Sequence, residues 1–163
     1  MKLRLSGREA GLDFQNVHLV PGRGKCSGLH PHFHSLSVTV EGELSERGML
    51  VHLYRLKEAV RALCEELDHR VLLADYPPAV MQIREEDAGY QVEVNDKRYF
   101  LPRQDVVRLP IGSLNVEDLC RYLTARLADA LDPILDRDRL TSLTVELDEG
   151  GGQAASLTVA LRG

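Results

Sequence analysis

The chain has 163 residues, which suits one domain, and a formal net charge of -5 that argues against a phosphate-binding, nucleic-acid partner. Hydrophobic residues make up 44% and aromatics only 5%, with no Trp, so a core must be built from Leu, Val and Ala. The opening MKLRLSGREAG has basic residues but no apolar h-region, and no stretch approaches a membrane span, so a cytoplasmic protein is expected. Cys26, Cys64 and Cys120 are odd in number and widely spaced, the usage of reduced thiols rather than of a disulfide framework.

In chain order, residues 2–20 read as extended, divided by a hairpin near Gly11. Turn chemistry follows at Pro21-Gly-Arg-Gly-Lys25. In HFHSLSVTVEGEL, Leu36, Val38 and Val40 alternate with Ser35, Ser37, Thr39 and Glu41, a strand signal. A helix is predicted over 50–68, because Leu53, Leu56, Val60, Leu63 and Leu67 step by three and four along one face. Pro77-Pro78 then breaks the chain, and strand-like runs near 79–84 and 90–94 precede a turn at Asn95-Asp96 and RYFL. Residues 74–108 thus read as a surface hairpin excursion within a single domain, 1–163, too short to bury a core of its own. VVRLP is a further strand. Asn115 is an N-cap, with Asp118 three residues on, for a helix over 116–131 that Pro133 stops. LTSLTVEL and ASLTVAL form a final strand pair joined by DEGGGQ. The order fits an α+β domain with an antiparallel sheet.

Chemistry gathers around the histidines. His30 and His32 are two apart, so on a strand they project from one face and can share a cation. His18, on the neighbouring extended segment, comes alongside if the chain turns through Pro21 and Gly24. Three neutral imidazoles leave a zinc ion one open position and its full charge. His-x-His pairs also occur on surfaces without a metal. His34 continues the run, but three successive same-face strand positions span about 13 Å, too far for ligand bonds near 2 Å. His34 is therefore read as a stacking or packing residue.

Cys26 lies in a polar, Gly-rich loop four residues before His30. It would serve as a fourth ligand in a closed site, or as a nucleophile or base beside the metal, its thiolate favoured by Lys25, Arg23 and the cation. Cys64 and Cys120 fall on apolar helix faces and read as small core residues. Asp68-His69 offers a carboxylate-oriented imidazole for proton transfer, or simply a helix end in solvent. Glu117 stands at a helix N-terminus, favourable for dipole reasons alone, and Glu146 lies in a strand where it would be an outward charge or a ligand.

Six segments in order resemble the 6-pyruvoyl-tetrahydropterin synthase and 6-carboxy-tetrahydropterin synthase family. FQNVHLV is similar to F-x-A-A-H, and CSGLHPH to C-x-x-x-H-G-H. GMLVHLYRLK is similar to G-M-V-x-D-F-x-x-L-K, and LDHRVLL to L-D-H-x-x-L-N. VVRLPIGSLNVEDLCRYL and SLTVEL resemble the two later segments. The resemblance implies a tunnelling fold, an antiparallel sheet with two helices on one face. Its subunits would assemble edge to edge into a barrel, typically a homohexamer, with sites at subunit interfaces. It implies zinc on His18, His30 and His32, proton transfer by Cys26 with Asp68 and His69, and a pterin ring held by Glu146 and Glu117. The substrate would be 7,8-dihydroneopterin triphosphate. The three-residue gap between Cys26 and His30 resembles the 6-carboxy branch, which releases acetaldehyde and serves queuosine-type deazapurine synthesis.

Several positions depart from the family pattern. Pro31 replaces a Gly, His34 an aromatic, His52 an Asp, Leu73 an Asn, and Leu114-Asn115 the usual Pro-Thr or Thr-Thr. Alternatives are the 6-pyruvoyl enzyme, a tunnelling-fold relative acting on another pterin or purine, and a non-enzymatic metal-binding module. Imidazole also suits iron and nickel.

Overall fold

The computed structural model describes residues 1–22 and 24–161. Ten strands and three α-helices are arranged around one main sheet and one smaller sheet. The main strands are β1 (Lys2–Leu5), β2 (Asp13–His18), β3 (His30–Gly42), β4 (Arg70–Ala74), β8 (Val106–Leu109), β9 (Leu140–Gly150) and β10 (Gln153–Ala160). Their order is β10-β9-β3-β2-β4-β8, with β1 also on β3. The helices are α1 (Gly7–Ala10), α2 (Leu53–Leu67) and α3 (Val116–Leu131).

The alternation in β3 decides the layering. Leu36, Val38 and Val40 face Leu56, Val60, Leu63 and Leu67 of α2 and Leu119, Leu123 and Leu127 of α3, together with Leu143, Val145 and Leu147 of β9. Each fully buried Leu or Val contributes about 1.5–3 kcal/mol by removal from water. Leu53, predicted on the buried face of α2, is instead largely exposed at the helix start. The Asn115 side chain accepts from the Asp118 N–H at 2.8 Å and starts α3 where the sequence places it.

Two expectations are corrected. No hairpin forms at Gly11: β1 and β2 run in line along the same edge of β3, β1 against Val38–Glu41 and β2 against His30–Ser35. The single turn of α1 lies between them, ending on Gly11 in the left-handed region, φ 65°. Gly7 makes this close approach possible, because a Cβ there would lie 2.7 Å from the backbone of Leu36. Gly7→Ala should therefore lower unfolding stability by about 1–3 kcal/mol in urea titrations, the usual cost of forcing an atom into a filled site. Second, the sheet is mixed rather than wholly antiparallel. β4 runs parallel to both β2 and β8, because α2 and the 74–108 excursion carry the chain across the sheet between them.

The excursion is a three-stranded meander, β5 (Met81–Glu86), β6 (Gly89–Val94) and β7 (Lys97–Pro102). Its apolar face uses Met81, Tyr90, Val92, Val94 and Leu101 and borrows Leu19 and Leu73 from the main sheet to close a second cluster. Asn95, with φ 53°, makes the turn into β7.

Candidate metal centre

The last residues of β2 and the first of β3 pair as Phe14–His34, Asn16–His32 and His18–His30. All six share the strand parity of Leu36 and Val38, so they lie on the helix-bearing face. His18, His30 and His32 form a near-equilateral triangle, with ring centroids 4.9, 4.8 and 4.9 Å apart. One ligand atom from each lies within 4.8 Å of the others. His34 is outside this set, fully buried and stacked on Phe14 at 5.0 Å and 16°, as its spacing predicted. Pro31 does not break the strand: it keeps register opposite Val17.

The donor chemistry suits a cation. The His30 Nδ1 atom is 2.9 Å from the Gly28 carbonyl, and His32 Nδ1 is 3.4 Å from the Glu149 carbonyl. Each contact places an N–H on Nδ1 and leaves Nε2 as a lone-pair donor, the arrangement of metal-binding imidazoles. Burial, reinforced by His32, His30 and His34, lowers the His18 pKa to about 3. Burial and His32 lower that of His34 to about 4. Both rings are neutral at physiological pH. His18 Nδ1 is buried with no hydrogen-bond partner among the described residues.

The triangle opens into a cavity of about 330 Å³, within the range of small-molecule sites. Cys26, exposed on its loop, and Glu117, at the start of α3, line the same cavity. Leu114 and Asn115 also line it, so the departures there border the site. Val20, Val116, Glu149 and Gln153 complete the lining. Their contribution was missed because no motif marks a backbone carbonyl such as that of Glu149. Arg23 lies outside the described residues. Cys64 and Cys120 are buried, and burial pushes the Cys64 thiol up to about 12.

Within one chain the other predicted residues stand apart from the triangle. Glu146 has the opposite parity to Val145 and Leu147, so it lies on the helix-free face, where it pairs with Arg4 at 2.8 Å. Asp68 and His69 sit where α2 hands over to β4. His69 Nδ1 lies 2.7 Å from Asp68 Oδ2, and the Gln15 N–H donates to Asp68 Oδ1 at 2.7 Å. Burial tends to raise the Asp68 carboxyl, but the Gln15 amide and His69 outweigh it and hold it below its ordinary value. His69 has φ 57°, a conformation uncommon outside glycine that marks imposed backbone geometry, and its side chain is 79% exposed. It borders a second cavity of about 560 Å³ with Gln15, Val17, Phe33 and Arg70, and His32 of the triangle reaches this cavity as well as the first.

The family model for 6-pyruvoyl tetrahydropterin synthase matches residues 9–159. A Methanocaldococcus jannaschii protein named "Putative 6-carboxy-5,6,7,8-tetrahydropterin synthase" is 32% identical over 157 residues, covering 95% of this chain and 94% of its own. The 6-carboxy-5,6,7,8-tetrahydropterin synthase of Aquifex aeolicus is 33% identical over 88 residues, 47% of this chain and 54% of that one. Among solved structures, the 6-pyruvoyl tetrahydropterin synthase of Plasmodium vivax superposes with a TM-score of 0.90 at 25% identity, over 98% of each chain. No described helix is long and apolar enough to cross a membrane. The family match over most of the chain joins the sheet-end histidine triangle to an α+β tunnelling fold, and the protein is a lyase that belongs to the 6-pyruvoyl tetrahydropterin synthase family.

Proposed function

We propose that the protein converts 7,8-dihydroneopterin triphosphate to 6-carboxy-5,6,7,8-tetrahydropterin, with zinc held by His18, His30 and His32. The observation that carries the reading is the meeting of this triangle with Cys26 and Glu117 in one cavity. The names of the relatives and the short Cys26–His30 gap favour the 6-carboxy product. Bound zinc supplies a Lewis acid that makes a side-chain hydroxyl of the substrate easier to ionise.

The chain's own residues then divide the work. Cys26, at the cavity wall, takes and returns protons at the substrate side chain. Asp68 holds His69 through Nδ1, leaving Nε2 free to accept or donate a proton. Glu117 accepts N–H groups of the pterin ring from the first turn of α3. Because Asp68, His69 and Glu146 do not line this cavity, a neighbouring copy brings them to it. The strands at the two ends of the main sheet, β8 and β10, each paired on one side among the described residues, offer the edges for such assembly, a homohexamer built as a barrel. The setting is cytoplasmic and the product feeds deazapurine synthesis of the queuosine type.

The test is an assay of purified protein with 7,8-dihydroneopterin triphosphate, following both pterin products and acetaldehyde, with metal content measured on the same sample. Stoichiometric zinc, 6-carboxy-tetrahydropterin and acetaldehyde are expected. The 6-pyruvoyl product would move the protein to the sister branch, the activity named for its Plasmodium vivax structural neighbour. A zinc-loaded protein without turnover would assign it another pterin or purine.

A further inference from the structure

The three imidazoles of the triangle are not supported alike. His30 and His32 each direct Nδ1 to a backbone carbonyl, of Gly28 and of Glu149. His18, the most deeply buried of the three, has no such acceptor for Nδ1. A ligating histidine ordinarily donates its second ring N–H, which fixes its tautomer and its orientation. Two further buried polar atoms nearby also lack partners: His34 Nε2 and Asn16 Oδ1. Their other ends are tied together, with Asn16 Nδ2 2.7 Å from His34 Nδ1. That contact makes Nδ1 the acceptor of a neutral His34 and puts its remaining proton on Nε2.

We propose that Asn16 and His34 form a buried polar seat, closed by one water molecule, that holds His18 in position for metal binding. The His18 and His34 ring centroids are 6.1 Å apart, too far for a direct bond and suited to one bridging water. Such a water accepts from His18 Nδ1–H and from His34 Nε2–H and donates to Asn16 Oδ1. It thereby satisfies all three unpartnered atoms at once, within the usual capacity of an internal water. The stacking of His34 on Phe14 restricts the orientation of its ring. Neither residue touches the metal; both are positioning residues acting through His18. Asn16 and His34 also both depart from the family segments this chain resembles, which have Ala and an aromatic at these places. The inference rests on the metal reading of the triangle.

The test compares zinc affinity, by competition with a chromogenic chelator, and apo-protein melting temperature across three variants. His34→Phe keeps the stack on Phe14 but removes the donor. It should weaken zinc binding about 10–100-fold without lowering the apo melting temperature. Asn16→Ala should weaken binding in the same direction. His34→Gln, which restores an N–H at similar reach, should recover most of the affinity. The visible absorption of the cobalt-substituted protein should shift in His34→Phe and return in His34→Gln. Affinity and spectrum in His34→Phe and Asn16→Ala equal to those of the parent would overturn the proposal while leaving the metal site standing. A parent protein that binds no zinc would overturn both.

Discussion

Replacing His18 by alanine should strip the metal from the protein and reduce turnover to background. His18 is one of three protein ligands in the triangle and is only 1% exposed, so no surface group can swing in to replace it. Structural zinc sites with four ligands bind with about 10–16 kcal/mol, so each ligand carries roughly 2.5–4 kcal/mol. Loss of one then weakens binding on the order of 10²–10³-fold. The variant should still fold. His18 stands at the sheet end, outside the leucine and valine cluster that α2 and α3 cover. Metal analysis after dialysis, circular dichroism and the turnover assay separate the outcomes. A folded His18→Ala protein that retains stoichiometric zinc would remove His18 from the ligand set. It would return attention to Cys26 as the third ligand.

The triangle was legible in the sequence because it rests on local geometry. The i, i+2 spacing of His30 and His32 and the strand signal of β3 suffice to put two rings on one face. The connection over residues 19–29, which turns at Pro21-Gly22 and again in the 3-10 helix Gly24–Ser27, then brings His18 opposite His30. The same parity argument reaches Glu146. Val145 and Leu147 are core residues, so the residue between them must face the other way, and its partner Arg4 comes from the far end of the chain. Which edge of β3 receives β1 and β2 was not legible. A break near Gly11 permits either a reversal or a continuation, and the choice depends on Gly7 meeting Leu36 across the sheet. The parallel placement of β4 is likewise set by the crossover through α2, which no periodicity encodes. That crossover is also what sends Asp68 and His69 away from the triangle. The sequence groups them with the site by resemblance, while the structure sets His69 on the second cavity, away from Cys26 and Glu117.

This separation leads to the second large effect. Cys26→Ala and His69→Ala, prepared separately, should each lose on the order of 10²–10⁴ in turnover, the usual contribution of a positioned proton-transfer group. Co-expressed in equal amounts, the two inactive chains should recover about one quarter of the parental activity. If each site takes Cys26 from one copy and His69 from another, random assembly in a closed ring pairs two intact groups at about a quarter of the sites. The exposed His69 imidazole, held by Asp68 outside the cavity that Cys26 lines, gives this arrangement its physical basis. Among the described residues, the cavity that His69 lines does not include Cys26, and the one that Cys26 lines does not include His69. The mixed sample should show zinc content equal to the parent, since neither variant touches the triangle. Size-exclusion chromatography with light scattering checks that assembly is unchanged. Recovery near a quarter establishes a site shared between copies. Mixed assemblies as inactive as either variant alone would mean that Cys26 and His69 serve one chain, which would require α2 and β4 to rearrange when substrate binds.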